Sequence, residues 1–503
     1  MQRAWKERFE IIKTKVFERA PVLQDILQQY GAESIFSYTQ THQQIMPDAF
    51  FADRQQELIG VVAQKTEELF GSLVAKSVQR QLQKHYYVST ADHHGPICHP
   101  FFLSANATAA LPYMADPQPD MENIIVFSCA NVSLNNSSFP RGLFFHSNKG
   151  KNLERLSLVP AKYNTQSVLG NAGYNAEDIV RLKKNISEKI HQNRISSAVG
   201  EKLFYLVESV YDQSVILGAQ NYDQQISMTN LGLWKHFFAT TVSHPRLVYI
   251  SQESIVAQLL CLLLKKGNNV ISDIVLHPDY QALVQQYFDG VDGAFSFSEK
   301  KGTYLFWGMS SDQKRRQQLW FDGEYLKSAD GSFVVAFTPA HITEKLMTGE
   351  LVPSMLLTFI VLSFYYGLTC LGGFYQPSYM TIMKQSYSRL LAHIGLEEEM
   401  HTCERVNAKR LGSDFTIAFT EQELSLATGM DLFLYGNRNT WNQLALTAKA
   451  VSVQEALDCM MVLFYSVLYS SDERTVDVSQ MDGEQIMRGM GLETKIKSCV
   501  TIV

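Results

Sequence analysis

Apolar positions along the first fifth of the chain fall at helical spacing. Leu58, Val61, Val62, Leu69, Phe70, Val74, Val78 and Leu82 predict one long amphipathic helix over 53–85. The pattern then changes. A short apolar strand over 86–89 ends in the polar turn Thr90-Ala91-Asp92-His93-His94-Gly95-Pro96-Ile97-Cys98-His99, and an alanine-rich apolar helix follows over 101–111. A second apolar strand, 123–130, ends in the asparagine-rich segment that holds Asn131 and Asn135. Pro140-Arg141-Gly142 turns from there into a further strand over 143–146. Another strand, 246–251, runs into an apolar helix over 255–264. Strand followed by helix, more than once, predicts a parallel sheet.

The remaining elements frame that sheet. Residues 1–30 read as helical, 31–50 as irregular and 175–240 as mostly helical. Residues 301–338 alternate between turn residues and predict a β-hairpin appendage. Thr338 and Pro339 suit the cap and first turn of a helix. An apolar helix over 353–368 leads to the glycine turn Gly372-Gly373-Phe374-Tyr375-Gln376-Pro377. The expected fold is α/β: a Rossmann-like parallel sheet core (53–395) with a helical insertion around 175–240. An N-terminal helical extension (1–52) and a mainly helical C-terminal region (396–503) flank it.

Composition narrows the function classes. The 503 residues are 46% hydrophobic and 19% charged, the profile of a packed globular chain. A net charge of −6 gives no electrostatic case for nucleic acid. The short basic run Lys314-Arg315-Arg316 reads as solvated surface. Seven cysteines without C-x-x-C spacing, and no apolar leader, predict a reducing, cytoplasmic setting. The uncharged stretch between Glu350 and Lys384 is long enough to span a bilayer, but its prolines, glycines and serines favour a buried helix and no membrane partner.

The central turn concentrates reactive side chains. His93 and His94 suit binding or polarisation of a phosphate or carboxylate, and His99 suits general acid or base chemistry. Thr90, Asp92 and Gly95 of the turn would bind a substrate, and Asn131, Asn135 and Arg141 would orient it from the neighbouring strand. Gln376 and Tyr379 would close the site from the glycine turn. No glycine-rich dinucleotide fingerprint or Walker loop is present. His93-x-Gly95 after the first strand resembles the layout of class I nucleotidyl-transferase folds, although Pro96 stands where that motif has a second histidine. Two alternatives stay open. One is a metal-dependent hydrolase using His93, His94 and His99. The other is a non-catalytic interaction protein whose crevice is blocked by aromatics such as Phe101, Phe374 or Tyr375.

The order of these elements resembles the bacillithiol synthase family, the cysteine-adding enzymes, over roughly residues 53–395. The turn Val88-Ser89-Thr90-Ala91-Asp92-His93-His94-Gly95-Pro96 stands where that family has a Thr-Gly-Gln-Gln-type turn. The segment 351–379, with Gly372-Gly373 and Tyr379, resembles its Gly-Gly-Pro-Gly-Glu-x-x-Tyr stretch. The resemblance implies a Rossmann-like core, a helical C-terminal part used in homodimer formation, and amide-bond formation between a carboxylate and an amine-bearing small molecule. ATP or ADP is the nucleotide it brings into view. The chain departs from the family where it matters. Asp92-His93-His94 replace glutamines, Phe374-Tyr375-Gln376-Pro377 replace Pro-Gly-Glu, and asparagines with Arg141 replace an acidic cluster. These changes point toward a carboxylate or phosphate and away from a cationic amine.

Overall fold

The computed structural model describes every residue except 1, 148–149, 151, 239–241, 313, 423, 479–480 and 482. Eleven strands are present among the described residues. They are β1 (Tyr87–Ser89), β2 (Asn123–Ser128), β3 (Gly142–Ser147), β4 (Asn152–Ser157), β5 (Arg246–Ser251), β6 (Phe306–Met309), β7 (Arg316–Phe321), β8 (Tyr325–Ser328), β9 (Val334–Ala336), β10 (Leu351–Pro353) and β11 (Thr369–Leu371). Four of them form a parallel sheet in the order β11-β1-β2-β5. A five-stranded antiparallel sheet runs β10-β6-β7-β8-β9, and β3 pairs with β4 alone. The architecture is mixed α/β with a parallel sheet at its centre.

Alternation along β2 shows why helices cover both faces of that sheet. Ile124 and Val126 join one core, and Ile125 and Phe127 join the other. A strand buried on both sides reads as a continuous apolar run, as β2 does. On the first face lie helix Pro100–Ala115, the insertion helices, the N-terminal helices and the C-terminal region. The N-terminal helix Gln2–Arg19 packs on helix Val453–Leu468, so the two ends of the chain close on one another. On the second face lie helices Ala52–Phe70 and Gln252–Lys266 and the antiparallel sheet.

Several expected elements take a different form. The helix predicted over 53–85 is two helices, Ala52–Phe70 and Ser72–Leu82, because Gly71 sits at φ +85° between them. Residues 31–50 hold a helix, Ile35–His42, capped by Ser34. The strand expected over 143–146 is β3, but it belongs to the separate β3–β4 hairpin and not to the parallel sheet. The hairpin appendage is a full antiparallel sheet. The apolar helix expected over 353–368 is shorter: Met355–Phe359 passes into a π-helical turn, Ile360–Tyr365, and the chain then becomes β11. Thr338 caps helix Pro339–Met347 as its sequence suggests.

Gly367 makes the turn into β11. It sits at φ +70°, and a Cβ there would meet the Phe51 ring at 2.6 Å. Gly367→Ala combines backbone strain with overpacking, so a loss of about 2 kcal/mol is expected in urea unfolding. An unchanged midpoint would mean that Phe51 swings away freely.

Candidate active site

The parallel strands end together, and their turns meet. Thr90 N–H donates to Leu371 O at 2.7 Å, which ties the first turn to the end of β11. Gln376 Nε2 donates to Thr90 Oγ1 at 2.7 Å, and Tyr379 donates its hydroxyl to Gln376 Oε1 at 3.3 Å. Gly372 has no room for a side chain because Gln376 lies where its Cβ would stand. The second turn folds over the first. His93 Nδ1 lies 3.1 Å from Asn136 Oδ1, and Gly95 packs against Pro140. The three segments singled out from the sequence are therefore neighbours.

Their side chains nevertheless serve mainly to build the floor of the site. His94 is fully buried. Its Nδ1 lies 2.6 Å from Ser128 Oγ, and its Nε2 lies 2.9 Å from both the carbonyl oxygen and Oδ1 of Asp223. Asp223 Oδ2 accepts a hydrogen bond from Ser251 Oγ at 3.1 Å. Burial pushes Asp223 up, but His94 and Ser251 outweigh it and hold the carboxyl below its ordinary range. This network bolts the insertion helix Tyr222–His236 to the ends of β2 and β5. Asp92 is also fully buried, with Oδ2 accepting from Asn106 Nδ2 at 2.9 Å. The Gly95 carbonyl accepts from Asn230.

His99 is the N-cap of helix Pro100–Ala115: its Nδ1 accepts from Phe101 N–H, and its ring packs against Phe101, Phe102 and Phe144. Burial pulls it down to about 4, and His93 is lowered by burial as well. The unfolded chain therefore takes up the His99 proton first. Stability from the neutral ring is complete above about pH 6.5 and is lost as pH falls toward 4. His99→Asn keeps a capping acceptor and removes the proton site. That variant should lose about 2 kcal/mol less than the parent between pH 7 and 4.5, read by urea unfolding. Parallel pH profiles would contradict this.

An open cleft of about 560 Å³ lies at the carboxyl ends of β2 and β5. Its walls come from Cys129 and Asn131 after β2, Gln252 and Glu253 after β5, the loop 290–296, the paired Glu299 and Lys301, and Trp307, Arg316 and Ser354. Glu253 is 3% exposed and holds the turn after β2 by accepting from Ala130 N–H at 2.9 Å and Asn131 N–H at 3.1 Å. Burial raises its pKa against the pull of those donors. Cys129 Sγ donates to Glu253 Oε1 at 3.5 Å, and burial pushes its thiol well up, so it stays protonated. Arg316 reaches in from β7. Its Nη1 donates to the Asn131 carbonyl and to Asn131 Oδ1, and its guanidinium lies 5.0 Å from the centre of the Trp307 ring. No carboxylate of the described residues pairs with Arg316. Burial lowers its pKa, yet an arginine in such a setting keeps its charge.

Of the residues proposed from sequence, Asn131 lines this cleft. Thr90, Asp92, His93, His94, Gly95, His99, Gln376 and Tyr379 are not among the residues that line it. Asn135 is exposed and accepts from Ser133 Oγ in its own turn. Arg141 points elsewhere, over the Phe139 ring. The three histidines do not converge, and among the described residues no group of three or more His, Cys, Asp or Glu side chains is placed to hold a metal ion. Phe101, Phe374 and Tyr375 do not line the cleft. Phe374 stacks on Phe464 at 3.8 Å between centroids, and Tyr375 donates to Asp292.

Sequence reasoning missed Glu253 and Arg316. Glu253 supplies an acid where the asparagine-rich turn has none, and Arg316 belongs to the run read as solvated surface. No helix among the described residues is long and apolar enough to cross a membrane. No protein-family model matches this chain, and no curated protein matches it.

Proposed function

We propose that this protein is a cytoplasmic, ligase-like enzyme on a Rossmann-like core. It joins an amino acid or other carboxylate to an amine-bearing small molecule, with ATP or ADP as the accompanying nucleotide. The observation that carries the reading is Arg316, a cation without a carboxylate partner, at the wall of an open cleft where parallel strands end. Arginine beside a tryptophan face suits a planar carboxylate. Glu253, its pKa raised by burial, suits the uptake of a proton released when an amine adds to a carboxyl carbon. All seven cysteines are free, which fits a reducing compartment. The family resemblance adds a homodimer to this reading.

A thermal-shift screen tests it. The ligands are ATP, ADP, amino acids and simple carboxylates, each with and without an amine partner. A ligand at a hundred times its dissociation constant stabilises by about 2.7 kcal/mol, an easily read change in melting temperature. The reading expects a carboxylate and a nucleotide each to stabilise the parent. A screen with no stabilisation by any carboxylate would overturn it.

A further inference from the structure

The β3–β4 hairpin carries a second group of cations, away from the cleft. Phe139 takes a left-handed conformation (φ 56°) and buries its ring. The Arg141 guanidinium lies 5.2 Å from the centre of that ring, and the Arg155 guanidinium lies 4.8 Å from it. The hairpin register sets this up by pairing Phe144 with Arg155 and Gly142 with Ser157. Leu158 and Val159 donate their N–H groups to the Arg141 carbonyl, which fixes its backbone. The Arg141 Nη1 makes one long bond, 3.4 Å, to Val159 O, and its Nε is buried without a partner.

Neither arginine has a carboxylate partner among the described residues. Glu154, the neighbour of Arg155, is turned inward to Lys189 and Arg194. Arg181, which donates to Leu158 O beside them, has its own acid in Asp178. Two like charges held against one ring repel each other, and Arg155 pushes Arg141 further below its ordinary range after burial has begun to lower it. Among the described residues no carboxylate offsets the repulsion, whereas a dianion between two guanidinium forks would.

We propose that Arg141 and Arg155 form a binding site for a phosphate dianion, either inorganic phosphate or the monoester group of a small phosphorylated metabolite. The site is separate from the Arg316 cleft and stands whether or not the ligase reading holds. Isothermal titration of the full chain with inorganic phosphate and with glycerol 3-phosphate, at constant ionic strength, tests it. Arg155 is exposed, so Arg155→Ser removes one fork without disturbing the core. Saturable binding that weakens at least tenfold in Arg155→Ser, and is unchanged in Arg316→Leu, is expected. Tighter binding of the ester identifies a metabolite as the ligand, and equal binding identifies free phosphate. No saturable binding of either probe, or binding that Arg155→Ser leaves intact, overturns the site.

Discussion

Asp92→Asn should raise the stability of the protein above pH 7. The Asp92 side chain is fully buried, with one oxygen bonded to Asn106 and Oδ1 without a partner. Burial raises its pKa to about 7, against the pull of the Asn106 hydrogen bond. In the unfolded chain an aspartate ionises near pH 3.9. Between about pH 4 and 7 the unfolded chain has released this proton and the folded chain has kept it. Stability is therefore full below pH 4 and falls as pH rises to about 7. Raising a carboxyl pKa by one pH unit costs about 1.4 kcal/mol once the group must ionise, so the loss reaches at most about 4 kcal/mol. Urea unfolding at pH 5 and pH 8 reads it. The stability difference between variant and parent should grow in favour of the variant at pH 8, while an equal difference at both pH values would show that Asp92 is ionised in the folded protein throughout.

Glu253→Ala should cost about 3 kcal/mol and loosen the cleft. Its carboxylate is the partner of the Ala130 and Asn131 N–H groups, and alanine leaves both without an acceptor. A polar group stranded in the interior costs about 1–3 kcal/mol. Glu253→Gln retains one acceptor oxygen and should fall between the two. Hydrogen exchange at Ala130 and Asn131 separates this account from a general loss of packing. Their amides should exchange much faster in the alanine variant while those in the middle of β2 stay protected. Unchanged exchange at these two amides would contradict the assigned role.

Much of the fold was legible because its strands are short apolar runs bounded by turn residues. β1, β2 and β5 follow directly from that pattern, as does the helix behind Thr338. β11 was not legible. Three residues, Thr369–Leu371, sit inside a long apolar stretch where periodicity cannot separate strand from helix, and Gly367 alone marks the break. The polar turn around His93 and His94 was visible as a cluster, but its role was not. The group that engages His94 is Asp223, far along the chain in an insertion helix, so no local spacing announces it. Arg316 was hidden for a similar reason. Only the pairing of β7 against β6 shows that this one member of a basic run faces inward, beside Trp307.

The central claim is that substrate binds at the Arg316 cleft. The most direct measurement is the dissociation constant of the strongest carboxylate ligand for the parent, Arg316→Leu and Arg155→Ser, by titration calorimetry at one ionic strength. Loss of a charge-assisted fork at a partly buried anion site corresponds to about 2–3 kcal/mol, or roughly a hundredfold in affinity. The account predicts that weakening in Arg316→Leu and an unchanged constant in Arg155→Ser. Undiminished carboxylate binding in Arg316→Leu would contradict it and move the site elsewhere on the molecule.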